Sequence, residues 1–157
     1  AELGLWEFVA SIDLTSKATY AAMQDGMTLP WALVDRRALK VTQERDVMWL
    51  RVLDVVQALE ARGWDAEGEI VLGVRDAMGY AEGAYRITAS EGTAFVEPTT
   101  DAPEVACDVD VLGSAFHGLV GFITLARAGR VNGAPDAVRR LDALFHVAEL
   151  PQSFSHF

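Results

Sequence analysis

Residues 69–97 read EIVLGVRDAMGYAEGAYRITASEGTAFVE, and the fold is decided there. Ile70, Leu72 and Val74 alternate with Val71, Gly73 and Arg75. That is the two-residue period of a strand with side chains on opposite faces. Two more segments, 84–89 and 93–97, carry the β-branched and aromatic residues that suit a pleated surface. Turn-forming runs at 65–68, 79–83 and 90–92 separate them, each containing glycine. The sequence therefore predicts three strands, 69–75, 84–89 and 93–97. Val105 to Val109 alternates again after a polar link at 98–103 and reads as a fourth.

Working outward, helices flank this β region. Asp54 is placed to cap a helix over 55–62, with Val55, Val56 and Leu59 on its apolar face and Gly63 ending it. Downstream, Asp110 reads as the cap of a helix running to about Gly118. An apolar stretch follows at 119–125, then a turn-rich connector at 127–133. Pro135 suits the first turn of a final helix over 136–145, whose buried stripe is Val138, Leu141, Leu144 and Phe145. Upstream, Leu5, Phe8, Val9 and Ile12 have helical spacing. Residues 15–23 read as a strand broken by Gln24-Asp25-Gly26. Leu29 to Leu33 reads as one helical turn with Pro30 early in it. Segments 39–43 and 47–53 flank Glu44-Arg45-Asp46 at hairpin length. Composition shifts near Leu53 and Asp54, which divides the chain into 1–53 and an α+β body over 54–157. The first residue is Ala1 rather than Met, and an apolar helix begins almost at once without an obvious cap. Processing or excision from a longer protein would explain this, and the second is the preferred expectation.

The composition narrows the function. Of 157 residues, 51% are hydrophobic and 23% charged, enough apolar material for a core. Lys and Arg number 13 against 23 Asp and Glu, a net charge of −10. Such a surface repels phosphate, so no nucleic acid and no anionic membrane is expected as a partner, while cationic molecules are favoured. A single cysteine, Cys107, excludes an intrachain disulfide and a multi-cysteine metal site. The nearly uncharged run 113–126 is too short to span a bilayer, and no signal-peptide pattern opens the chain. A soluble, cytoplasmic protein is expected.

Few residues announce chemistry. His117, His146 and His156 are too dispersed for a helical metal motif, and no metal is expected. His117 reads as a packing histidine and Cys107 as a buried, inert thiol. Arg130-Val131-Asn132-Gly133-Ala134-Pro135 nearly fits a pyrophosphate-binding loop, but Pro135 has no N–H to donate and the segment follows a helix. It reads as a helix-start turn. Trp6 and Trp64 are expected in the core. Trp31, in an irregular segment, either lines a site or plugs the interior. Phe154 and Phe157 close the chain after Pro151, which suggests a docked tail. A docked tail fixes the α-carboxylate, whose ordinary pKa of about 3.3–3.7 leaves it ionised at neutral pH and able to accept a proton from an amine. The alternative is simple hydrophobic anchoring.

Three stretches carry a resemblance. They are Leu5-Trp6 with Asp13-Leu14, then Leu29-Pro30-Trp31-Ala32-Leu33-Val34-Asp35-Arg36-Arg37-Ala38-Leu39, and Trp49-Leu50-Arg51-Val52-Leu53-Asp54-Val55. Further matching positions run through 58–62, 110–114, 128–131 and 142–145 to Phe157. Together they resemble the C-terminal portion of the Eis (enhanced intracellular survival) N-acetyltransferases, members of the GNAT superfamily. The resemblance implies an α+β fold: a sterol carrier protein-like sheet with packed helices over 54–157, preceded by a helix and strands from the end of a central GNAT-like domain over 1–53. It implies that the acetyl-CoA site and the general-acid tyrosine lie in a domain this chain does not contain, so no cofactor is bound here. It implies transfer of acetyl to an amine of an aminoglycoside, another polyamine or a lysine-bearing peptide. By position, the Phe157 carboxylate would be the catalytic base and Trp31 a wall of the substrate pocket. His156 stands where the family often has an acid and would put an imidazole beside the substrate. The expected partners are the rest of the parent chain, a polycationic amine and further copies in a homo-oligomer. The isolated chain is expected to be inactive. Two other readings remain open: a lipid-binding sterol carrier module, and a purely structural assembly domain.

Overall fold

A computed structural model describes residues 2–21, 23, 27–44 and 49–150. They fall into two compact units, one before and one after the interval 45–48.

The second unit is built on a five-stranded mixed sheet. Its strands are β1 (Gly68–Arg75), β2 (Gly83–Ser90), β3 (Thr93–Pro98), β4 (Val105–Asp108) and β5 (Val131–Gly133), in the order β3-β2-β1-β4-β5. The β1·β4 pairing is parallel and the other three are antiparallel. Register explains the core. Ile70 lies opposite Ile87 and Leu72 opposite Tyr85; Ile87 meets Val96, Leu72 meets Val105, and Val74 meets Cys107. Because side chains alternate with period two, this register gathers them on one face, and all of them are buried.

Four helices of this unit are α3 (Val55–Ala61), α4 (Val109–Ala115), α5 (Phe122–Arg127) and α6 (Pro135–Phe145). They add Val55, Leu59, Leu112, Phe122, Leu141 and Phe145 to the same core. Trp64 is buried as expected, its indole N–H donating to the Leu59 carbonyl at 2.9 Å and its ring edge-on to Phe145. The opposite sheet face is polar. Arg86 pairs there with Glu69 and Asp101, and Arg75 with Asp108 at 2.8 Å.

Asp54 caps α3 as the sequence indicates, its Oδ1 accepting from the Gln57 N–H at 3.0 Å. Pro135 opens α6, and Val138, Leu141, Leu144 and Phe145 are buried. Three local expectations change. The N-cap of α4 is Asp108 rather than Asp110, whose Oδ1 accepts from the adjacent Val111 N–H at 2.9 Å. The connector 127–133 contains β5, a short edge strand held by backbone pairing to β4. His117 lies beyond the end of α4, partly buried and edge-on to Phe116.

Residues 49–53 form no strand, so the expected hairpin is not made among the described residues. This segment instead packs on the sheet unit. Val52 is buried in the core, and the Leu50 carbonyl approaches α4 so closely that a Cβ on Gly113 would sit 2.6 Å from it. Trp49 is 87% exposed, so it is not a core residue.

The first unit holds α1 (Glu2–Ser11), α2 (Leu29–Ala32) and a 3-10 turn at Arg36–Ala38. The strand expected over 15–23 does not form among its described residues; no ladder partner is present for it there. The helix expected from Leu5, Phe8, Val9 and Ile12 does form, but none of its residues is buried. Trp6 is half-buried against Tyr20, ring centroids 5.6 Å apart, rather than in a core. Thr28 donates from Oγ1 to Glu2 Oε2 at 3.2 Å, tying α1 to the start of α2. No described helix is long and apolar enough to cross a membrane.

Candidate functional site

The candidate site is built around Trp31. Pro30 sets the first turn of α2, and the Thr28 carbonyl accepts from the N–H groups of Trp31 at 3.0 Å and Ala32 at 3.2 Å. Leu29 is buried and anchors the turn, which turns the next side chains outward. Trp31 is 74% exposed. Leu33 and Asp35 are extended, with a bend at Val34 between them. Asp35 Oδ1 accepts from the Arg37 N–H at 2.9 Å and so caps the following 3-10 turn. This fold-back sets the Arg36 guanidinium over the Trp31 ring, 4.0 Å from its centroid. An exposed indole face attracts ammonium and guanidinium groups, and here the group it holds is Arg36. Of the expected site residues, Trp31 is described; His156 and Phe157 lie outside the described residues, as do Pro151 and Phe154.

The second unit holds titratable groups that look functional and are structural. Among the described residues, Asp76 is the one charged residue that is fully buried. Its carboxylate accepts from the N–H groups of Met78 and Ala81, both at 2.9 Å, and from Arg51 Nη2 at 2.5 Å. The Ala81 N–H, with those of Met78 and then Arg51, holds its pKa below the usual 3.8 against the opposing effect of burial. A carboxylate so occupied is a poor proton acceptor. Its role is to close the 76–81 turn and to tie down segment 49–53 through Arg51.

Cys107 is completely buried, and burial pushes its thiol up to about 12, so it is no nucleophile. Arg62 lies against Trp64 and Phe145, its guanidinium 4.6 and 4.5 Å from the two rings, and burial lowers its pKa to about 10. Its Nη2 donates to the Phe145 carbonyl at 3.1 Å, closing the end of α6. No group of three His, Cys, Asp or Glu that could hold a metal occurs among the described residues.

Two sites for larger ligands can be tested on this geometry. The segment 130–135 does not fit a pyrophosphate. Val131–Gly133 spends its backbone on the β4 ladder, a Cβ at Gly133 would meet the Glu104 carbonyl at 2.8 Å, and Pro135 has no N–H. An open depression of about 370 Å³ is lined by Leu50 to Asp54, Gln57, Ala58 and Phe116. Its charged side chains are committed, Arg51 to Asp76 and Asp54 to the α3 cap.

The profile of the sterol carrier protein domain matches residues 55–152. The chain belongs to the sterol carrier protein domain family. Its likeness to known proteins extends beyond that domain. It is 38% identical over 152 residues to an uncharacterized N-acetyltransferase of Streptomyces avermitilis, covering 96% of this chain and 36% of that protein. It is 36% identical over 149 residues to N-acetyltransferase Eis of Mycobacterium tuberculosis, covering 92% of this chain and 36% of that protein. The crystal structure of Eis1 from Mycobacterium abscessus superposes with a TM-score of 0.73 at 32% identity, over 83% of this chain and 33% of that one. The resemblance to the Eis N-acetyltransferases expected from the sequence is therefore borne out, together with the α+β fold. The chain spans 36% of the length of the two relatives.

The Arg36–Trp31 contact was not foreseen, although both residues stand inside the segment that carries the resemblance. Five positions separate the two, and no helical or strand period brings residues at that spacing together. The Asp35 cap, a local signal, was the one available clue.

Proposed function

We propose that this chain is the C-terminal part of an acetyl-CoA-dependent N-acetyltransferase acting on an amine of a polycation: an aminoglycoside, another polyamine or a lysine-bearing peptide. The reach of the likeness to Eis carries this reading. It covers 92% of the chain, whereas the sterol carrier profile begins at residue 55. That coverage requires most of the first unit, which a free-standing sterol carrier domain does not need.

In this reading Trp31 is a wall of the acceptor pocket, and the Phe157 carboxylate is the general base. As the acceptor nitrogen attacks the thioester carbonyl, its proton passes to that carboxylate, directly or through one water, and the coenzyme leaves as the thiol. His156, adjacent in sequence, contributes an imidazole near that base. Acetyl-CoA supplies the acyl group and is held by the remainder of the protein. The net charge of −10 favours a polycationic acceptor. Exposed Leu5 and Phe8 on α1, with Ile12 just beyond it, offer an apolar surface for the remainder of the chain or for another copy, in keeping with a homo-oligomer. The lipid-carrier alternative gains nothing from the core, where Leu59, Ile70, Leu72, Leu112 and Leu141 are all completely buried.

The test is acetyl transfer from acetyl-CoA to an aminoglycoside and to spermidine, assayed for the full-length protein and for the 157-residue chain. Turnover by the full-length protein and none by the chain alone is expected, because a base without its acyl donor has nothing to act on. Full-length protein that binds acetyl-CoA yet acetylates neither amine contradicts the proposal.

A further inference from the structure

The cation over Trp31 belongs to the protein itself. Among the described residues Arg36 has no carboxylate partner, although the chain carries 23 Asp and Glu and Arg51, Arg75 and Arg86 each have one. Among the described residues its guanidinium meets the indole face, at 4.0 Å. The Asp35 cap orders the backbone of this turn without engaging the Arg36 side chain. The guanidinium therefore sits where the ring quadrupole attracts any cation, and the contact is exposed, hence weak and exchangeable.

We propose that Arg36 is a specificity-determining residue: an internal placeholder on Trp31 that an acceptor's ammonium group must displace. The proposal rests on the reading of Trp31 as a wall of the acceptor pocket. A monoamine merely exchanges one exposed cation–π contact for another and gains little. A polyamine has further ammonium groups to place against an acidic protein, so it displaces Arg36 with a net gain. Arg36 thereby filters acceptors by charge number, and its removal relaxes the filter.

The experiment measures spermidine and a monoamine, n-butylamine, on the full-length protein, as Kd by calorimetry and as KM and kcat in acetyl transfer. The variants are Arg36→Ala, Arg37→Ala, Trp31→Leu and the double variant Trp31→Leu/Arg36→Ala. Arg36 and Arg37 are both exposed, so folding is preserved, with circular dichroism as the check. Arg36→Ala is expected to lower Kd and KM for spermidine about two- to fivefold, the worth of one exposed cation–π contact, with kcat unchanged. The monoamine's relative gain is expected to be the larger, and an equal or smaller gain overturns the filter by charge number. Arg37→Ala, which removes the same charge one residue on, is expected to change neither constant by as much. In the Trp31→Leu background, Arg36→Ala is expected to have no further effect. An unchanged or raised spermidine Kd in Arg36→Ala overturns the placeholder role. So does an equal gain in Arg37→Ala, or a gain that persists without Trp31, since either result marks a general field effect. If Trp31→Leu leaves Kd and KM unchanged, the pocket-wall reading itself fails and the placeholder falls with it. If Trp31→Leu weakens binding while Arg36→Ala does nothing, only the placeholder fails.

Discussion

Asp76 shows how a single carboxylate organises this protein without performing chemistry. Its oxygens accept from two backbone N–H groups and from Arg51, so one side chain joins a turn of the sheet to the segment leading into α3. Hydrogen bonding to the ionised form holds its folded pKa below 3.8. A depressed folded pKa gives stability that is full above the unfolded value and is lost as pH falls through the folded one. Asp76→Asn is therefore expected to lower the urea midpoint clearly at pH 7, with the gap to wild type shrinking steadily below pH 4. Urea titrations at pH 7 and pH 3 check this, and an equal gap at both would be inconsistent with it. The same residue-scale view separates Trp31 from the other tryptophans. Trp64 has a buried N–H partner and lies edge-on to Phe145 in its core, whereas Trp31 meets solvent and one guanidinium.

Among the elements, the contact between segment 49–53 and α4 decides how the resemblance motif is used. Gly→Ala inside a helix ordinarily stabilises by up to about 1 kcal/mol. At Gly113 the added Cβ would meet the Leu50 carbonyl at 2.6 Å, which forces backbone to move. Gly113→Ala is thus expected to destabilise by about 1–3 kcal/mol, measured as a reduced urea midpoint with the helical and strand signals retained. A neutral or stabilising result would mean that the segment is free to lift away.

This contact also marks the limit of what the sequence revealed. β1 to β3, α3 and α6 were legible because period, turn residues and caps agree over several positions: the 70/72/74 alternation, Asp54, Pro135. The expected hairpin over 39–53 was not, because Leu50 and Val52 serve packing on the sheet unit rather than a ladder, and their two-residue spacing is the same in either case. β5 was hidden because three residues held by backbone pairing leave almost no side-chain pattern. At the candidate site, Trp31 stood out through its irregular setting, while Arg36 depends on a fold-back at Asp35 that no periodicity encodes.

On the scale of the whole molecule, two features point outward. The surface is acidic, and α1 presents Leu5 and Phe8 at 68% and 66% exposure. A helix apolar on several sides is ordinarily covered, and the relatives, which this chain matches over 36% of their length, have the additional chain to cover it. In the proposed function, activity requires such additional chain, and this chain would contribute a pocket wall and the base. The most direct measurement is acetyl transfer by the full-length protein with Phe157 deleted, alongside acetyl-CoA binding by the same variant. Loss of turnover by about 10²- to 10⁴-fold with acetyl-CoA binding intact is predicted, as for removal of a general base. Unchanged turnover would contradict the account and leave the tail a packing element.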